Sequence, residues 1–222
     1  MSEFEPFNPL DKQNLAASVA EALLGRKAHP LGGLEPINGA GIYAIYYTGK
    51  FPPYAPLAKR NAGGRLEAPI YVGKAVPQGA RKGGVGKAGT ATKALFNRLK
   101  EHAESIQGVS NLELKDFVCR FLVVDDIWIP LGESLLIAKF SPIWNTIIDG
   151  FGNHDPGSGR YQGMRPRWDV LHPGRSWATK CQLRPEDEKQ IVADVEQFLR
   201  TAPQPPSQNL YAEQRRSDYD VE

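Results

Sequence analysis

GAGIYAIYYTG (residues 39–49) and APIYVGKA (residues 68–75) decide how the rest of the chain is read. Each is a run of Ile, Val and Tyr closed by glycine, the composition of a short strand on a pleated surface. Gly41-Ile42-Tyr43 and Tyr71-Val72-Gly73 are therefore predicted as neighbouring strands, each delivering a tyrosine. Two core strands with tyrosines at the rim would read the same way. The order of polar residues further along the chain lifts them above that: Arg98 and His102 on one predicted helix, Glu133 on another, then Asn145. The four-residue step from Arg98 to His102 puts both on one helix face.

Working outward, Leu15, Val19 and Leu23 predict a covering helix over residues 11–24, with Gly25 at its end. His29 to Asn38 reads as a Pro/Gly loop leading into a first strand over about residues 40–48. The insertion between the tyrosine strands, about residues 49–69, is too long for a simple hairpin and reads as too rich in Pro and Gly for a helix. It is expected as a shaped surface loop carrying Lys59, Arg60 and Arg65. A basic, glycine-rich loop spans about residues 77–91, with Arg81, Lys82 and Lys87. Its GVGKAGT suggests a phosphate-binding P-loop, but Arg81 stands where that motif needs glycine, and Ala88 where it needs Ser or Thr.

A helix is predicted from about Thr90 to Gln107, with Leu95, Leu99 and Ile106 as its apolar stripe. The strand DFVCRFLVVD comes next, and then a helix from Leu131 to Phe140 stopped by Pro142. Residues 147–202 form an ordered but irregular extension that ends in a helix starting at Pro185, and residues 203–222 a flexible tail. Residues 1–38 are then the N-terminal helix and lead-in, and residues 39–146 the core.

The net charge of +2 hides a division along the chain. Residues 59–100 hold ten Lys/Arg against Glu67, and residues 160–184 hold six against Asp169. Such local concentrations are what phosphate-backbone binding needs. Trp168, His172 and Trp177 are interleaved with the second segment, which tilts the pair toward nucleic acid. No apolar run approaches the roughly 20 residues of a membrane span. The acidic N-terminus shows no secretory signal, and Cys119 and Cys181, without CxxC spacing, suit a reducing compartment and argue against zinc. A cytoplasmic protein is expected.

Phosphodiester hydrolysis needs an activated water, neutralised phosphoryl charge and help for the departing oxygen. Glu133 in an apolar helix is poorly placed unless it meets a cation, or unless it lies in the first turn and answers the helix dipole. Arg98 suits a phosphate clamp, and His102 could hold a tyrosine or exchange protons. Tyr43 or Tyr71 as a base needs nearby positive charge to lower a pKa of about 10. A metal ion, Arg98 and Lys74 are candidates to supply it.

The joint order GIY, YVG, R-x3-H, helical Glu and Asn resembles the GIY-YIG nuclease superfamily over roughly residues 40–146. The resemblance implies an α+β fold, with a small three-stranded antiparallel sheet flanked by helices, and one divalent metal ion. It implies that Tyr43 activates water, Tyr71 sits at the scissile phosphate, Arg98 stabilises charge and His102 assists Tyr43. Glu133 would ligate Mg²⁺, with Mn²⁺ as a substitute, Asn145 would hold the site together, and Lys74 would join the phosphate contacts. YVGKAVP, RLKEH, SNLELKDFVCRF, PIWNTIIDGFGNHDPGSGR and WDVLHPGRSWA look like the type II restriction enzymes of this superfamily that cut CCGCGG. Two departures from the general pattern are the valine in YVG and the long insertion, which those restriction enzymes share.

That likeness implies Mg²⁺-dependent cleavage of double-stranded DNA by a homodimer paired with a cognate methyltransferase. The DNA-binding candidates are Lys59, Arg60, Arg65, Arg81, Lys82, Lys87, Arg160, Arg165, Arg167 and Arg175, arginine being best suited to guanine acceptors. A repair or homing nuclease would need appended recognition domains. A silent DNA-binding regulator would be free to lose part of the set. An RNA-binding module lacks any RRM, KH or OB signature.

Overall fold

The computed structural model describes residues 8, 10–77 and 92–201. β2 (Gly41–Tyr47) is its organising element, and all seven residues are buried. β2 pairs antiparallel with β3 (Pro69–Ala75) on one side and with β4 (Phe117–Val123) on the other. A strand covered on both faces reads as a continuous apolar run and not as an alternation. Tyr43, Ile45 and Tyr47 face one core with Leu95, Leu99 and Ile106 of α3 (Ala94–Gln107). Ile42, Ala44 and Tyr46 face a second core with Leu23 of α1 (Lys12–Leu24) and Ile129 and Leu136 of α4 (Ile129–Phe140). Each buried Ile or Leu among them contributes about 1.5–3 kcal/mol.

Among the described residues the sheet has four strands in the order β1-β4-β2-β3, where three were expected. β1 is the dipeptide His29–Pro30, paired with Val118 and Cys119 inside what reads as a loop. Proline tolerates an edge position because its missing N–H is not needed there, and a two-residue strand leaves no periodicity to detect. The register of β2 and β3 shifts between Ile45 and Tyr46, skipping Ile70. This bulge turns Ile70 into the same core that Tyr71 packs against.

The insertion is a second correction, since it contains α2 (Ala55–Asn61). Pro52, Pro53 and Pro56 fall before the helix or in its first turn, and Gly63 and Gly64 fall after its end. These are the places where each residue type is tolerated. Buried Asn61 then ties the insertion down, donating to the carbonyls of Tyr47 and Ala68 and accepting from the Ala68 amide. α3 begins at Ala94, later than expected.

α5 (Ile143–Thr146), α6 (Arg167–Leu171) and α7 (Glu188–Thr201) follow among the described residues. α7 starts at Glu188 and not at Pro185, because Asp187 and Gln190 cap each other's amides reciprocally. Its Ile191 and Val195 are buried in the first core beside Trp144 and Trp168. Both cysteines are free and buried. Among the described residues no helix is long and apolar enough to cross a membrane. The basic loop with Arg81, Lys82 and Lys87, and the tail beyond Thr201, lie outside the described residues.

Candidate active site

The motif glycine of β3 has a steric reason. Gly73 stands opposite Tyr43 in the register, and a Cβ there would come 2.4 Å from the Tyr43 hydroxyl. With no side chain at 73, the phenol passes β3 and meets His102 Nε2 at 2.6 Å. Tyr43 is fully buried and His102 is 1% exposed. Burial raises the Tyr43 pKa well above its ordinary value, the Tyr71 phenol adds to this, and the Arg98 charge pulls it back. Burial also pushes His102 well below the usual histidine range, helped by the charges of Arg98, His154 and Arg175. Phenol and imidazole are therefore both neutral, and one proton is shared between them.

Tyr71 and Arg98 converge on the same place from different elements. A Cβ on Gly152 would lie 2.9 Å from Arg98 Nη2, 3.0 Å from the Tyr71 hydroxyl and 3.8 Å from His102 Cε1. Three of the candidate side chains thus surround one glycine. Arg98 Nη1 donates to Glu101 Oε2 at 2.9 Å and to His154 Nε2 at 2.6 Å, and Nη2 donates to the Gly152 carbonyl at 2.9 Å. Phe151 stacks on the His102 ring at 4.6 Å and meets Tyr71 edge-on at 5.0 Å.

Glu133 arrives from α4, which packs on the other face of the sheet. It lies beyond the first turn of α4, so the helix dipole gives it no special support there. The site can include it because β3 is an edge strand: Lys74 projects to Glu133 with Nζ 2.6 Å from Oε2. The Glu133 carboxylate still raises the pKa of Tyr71, after burial and against Arg98, so the two faces meet electrostatically around the edge. Asn145 closes that edge. Its Oδ1 accepts from the Val72 amide and its Nδ2 donates to the Val72 carbonyl, both at 2.8 Å, as a neighbouring strand would.

Among the described residues no three His, Cys, Asp or Glu side chains cluster as a metal cage. The Glu133 carboxylate side chain is 18% exposed and fits Mg²⁺ on one count. That ion takes one or two carboxylates and completes its shell with waters and substrate phosphate oxygens.

The structure separates the DNA-binding candidates by what their side chains already hold. Lys59, Arg65 and Arg160 are exposed, and Arg60 is half-buried. Arg65 also folds back onto the Lys59 carbonyl at the end of α2. Arg165 donates to the Ala178 carbonyl, and Arg167 to the Ile147 carbonyl and Asp194. Arg175 is 8% exposed and bonded throughout to protein acceptors. Sequence reasoning missed Phe151, His154 and Glu101, although the FGNHDPGSGR stretch and RLKEH contain them. It also missed a buried chain in which Trp144 Nε1 donates to the Tyr54 hydroxyl at 2.8 Å, Tyr54 meets His172 Nε2 at 2.7 Å, and His172 Nδ1 meets Asn111 at 3.0 Å.

No curated protein matches the chain. Residues 35–199 match the family model described as the Eco29kI GIY-YIG domain, a restriction endonuclease family. The match spans the tyrosine strands, the Arg98 helix, Glu133, Asn145 and the extension that carries Phe151 and Gly152. The chain belongs to this family of GIY-YIG restriction-type nucleases.

Proposed function

We propose that the protein is a type II restriction endonuclease, a Mg²⁺-dependent homodimer that hydrolyses double-stranded DNA at the palindrome CCGCGG. The observation that carries the chemistry is the convergence of Arg98, Tyr71 and His102 on Gly152, with Tyr43 bonded to His102 at 2.6 Å. In this reading a phosphate beside Gly152 receives the Arg98 guanidinium, and the Tyr71 hydroxyl orients one of its oxygens. Tyr43 accepts the proton of the attacking water while its own passes to His102, a relay that supports two neutral partners better than an isolated phenolate. Bound Mg²⁺, held by Glu133, would supply charge neutralisation at the phosphate and the departing oxygen. Lys74 would move from Glu133 toward the phosphate, and Asn145 keeps β3 in register through Val72.

Recognition falls to the exposed Lys59, Arg65 and Arg160 and the half-buried Arg60, together with Arg81, Lys82 and Lys87. A palindrome read by two identical subunits suits a twofold dimer with one site per strand. Such an enzyme works in the cytoplasm beside a methyltransferase that protects host sites.

The test uses two plasmids with Mg²⁺, one bearing a single CCGCGG and one lacking it. Linearisation of the first alone, lost in Glu133→Ala with DNA binding retained, is the expected result. Cutting of both plasmids sinks the recognition assignment. Specific binding without cutting by the unmodified protein sinks the enzymatic one. A Glu133→Ala protein that still cuts removes that carboxylate from the site.

A further inference from the structure

The buried pair Arg175–Asp169 stands outside the constellation of Tyr43, Tyr71, Arg98 and His102, yet touches the segment on which it converges. Arg175 comes after a Pro-Gly turn, and its guanidinium lies between the rings of Trp168 and Trp177, at 4.4 and 4.7 Å. All five of its N–H donors are used. Nε and Nη2 grip the two Asp169 oxygens at 2.7 and 2.5 Å. Nη1 donates to the carbonyls of Phe151 and Asn153 at 3.1 and 3.0 Å, and Nη2 also donates to that of Gly150 at 2.9 Å. No donor is left for a phosphate or a base edge. The acceptors other than Asp169 belong to one turn, residues 150–153, and this turn presents the Phe151 ring to His102 and the Gly152 carbonyl to Arg98.

We propose that Arg175 is a positioning residue, clamped by Asp169, that fixes the 150–153 turn so that Phe151 and Gly152 hold His102 and Arg98 in reacting geometry. The inference rests on the proposed nuclease chemistry for its kinetic consequence, and on the free protein for its structural one. Lysine cannot replace arginine here, since an ammonium has three donors and no planar fork to match one carboxylate and three carbonyls. The C-terminal extension thereby becomes part of the active centre. The clamp also accounts for the dryness of His102, which is faced by Arg98 on α3, Tyr43 and Tyr71 from the sheet, and His154 and Arg175 from the extension.

The experiment compares Arg175→Lys, Arg175→Ala and Gly152→Ala with the unmodified chain. Three readouts are taken: single-turnover cleavage at saturating DNA, DNA affinity against salt, and the NMR titration of His102 without DNA. Gly152→Ala keeps the clamp but sets a carbon 2.9 Å from Arg98 Nη2 and 3.0 Å from the Tyr71 hydroxyl, so it tests the contact of the turn with the site. Arg175→Lys, which keeps the charge, tests the clamp even if Arg175→Ala fails to fold. Arg175→Lys and Gly152→Ala are expected to slow the chemical step between about tenfold and a hundredfold, as a misplacement of about 1 Å does, with affinity within about twofold. His102 in Arg175→Lys is expected to titrate at higher pH, because the loosened turn admits water to the ring.

Weakened binding with a salt slope lower by about one, and unchanged chemistry, would make Arg175 a DNA contact and overturn the proposal. Gly152→Ala at the unmodified rate would overturn it as well. If the unmodified protein cuts no DNA, the nuclease reading falls, and the His102 titration still decides the clamp: an unmoved His102 in Arg175→Lys refutes it.

Discussion

Gly73→Ala adds one carbon where the site has no room for it. The new Cβ would lie 2.4 Å from the Tyr43 hydroxyl oxygen, 2.6 Å from its Cζ and 2.9 Å from Tyr71 Cε1. Ordinary contact begins near 3.4 Å, so the Tyr43 phenol must retreat by about 1 Å. It cannot retreat freely, being fully buried with His102 on its hydroxyl. Overpacking of this kind costs about 1–3 kcal/mol. Separating the phenol from His102 leaves buried polar groups unpaired, adding about 1–3 kcal/mol. A loss of roughly 2–6 kcal/mol is therefore expected in urea unfolding. The same displacement moves the residue proposed to activate water, so single-turnover cleavage should fall about a hundredfold. Gly159→Ala is the control, since a Cβ there meets nothing within 4 Å and its stability should stay within about 0.5 kcal/mol. Gly73→Ala with less than about 1 kcal/mol of destabilisation and near-normal cleavage would refute the steric reading of the motif.

Three further outcomes rest on the same structure. Tyr54→Phe removes the acceptor of Trp144 Nε1 and the partner of His172 Nε2, so urea unfolding should show a loss of roughly 2–4 kcal/mol, and a change under about 1 kcal/mol would refute the buried chain. Burial first, then the Arg175 charge, hold His172 down to about 3. The unfolded chain, near its usual value of about 6.5, therefore binds this proton first, and the contribution present above that pH is lost as pH falls toward 3, at up to about 1.4 kcal/mol per unit. His172→Gln should flatten that slope in unfolding curves taken across the window, and an unchanged slope assigns the acid sensitivity elsewhere. Arg160→Ala, at an exposed position in the extension, should weaken DNA binding and lower the salt slope by about 0.9, and an unchanged slope would place Arg160 off the interface.

The parts of the fold legible in the sequence were those with a period or a punctuation mark. β2, β3 and β4, the stripe of α3 and the end of α4 lie close to where the residues predict them. The misses share a different cause. β1 is two residues long and is set by its pairing with β4, and α2 hides because its prolines stand at tolerated positions. For the candidate site, Tyr43, Tyr71, Arg98, His102, Glu133 and Asn145 could be named from the sequence, since each belongs to a recognisable motif or helix step. It could not show that Gly152 is where three of them meet, because that contact joins the sheet and α3 to a turn with no periodicity. Nor could it tell Arg175 from Arg160. Both are arginines in a basic segment, and only burial against Asp169 distinguishes the clamp from the exposed side chain.

These placements bear on how the proposed enzyme stays idle without DNA. Lys74 sits on Glu133, Arg98 on Glu101 and the Gly152 carbonyl, and the buried Tyr43 phenol keeps its proton. The charges of these residues are thus answered by partners from the protein itself. On the proposed reading, a phosphodiester entering beside Gly152 competes with Glu101 for Arg98 and with Glu133 for Lys74, the carboxylates that answer these two cations in the free chain. Its binding would release Glu133 from Lys74 at the same step that brings the phosphate to Arg98. On the proposed reading, assembly of the reacting geometry and capture of the substrate are then one event. This order favours a nuclease that completes its site only where recognition has already seated the backbone, because the energy to break two internal ion pairs must come from contacts made elsewhere on the DNA.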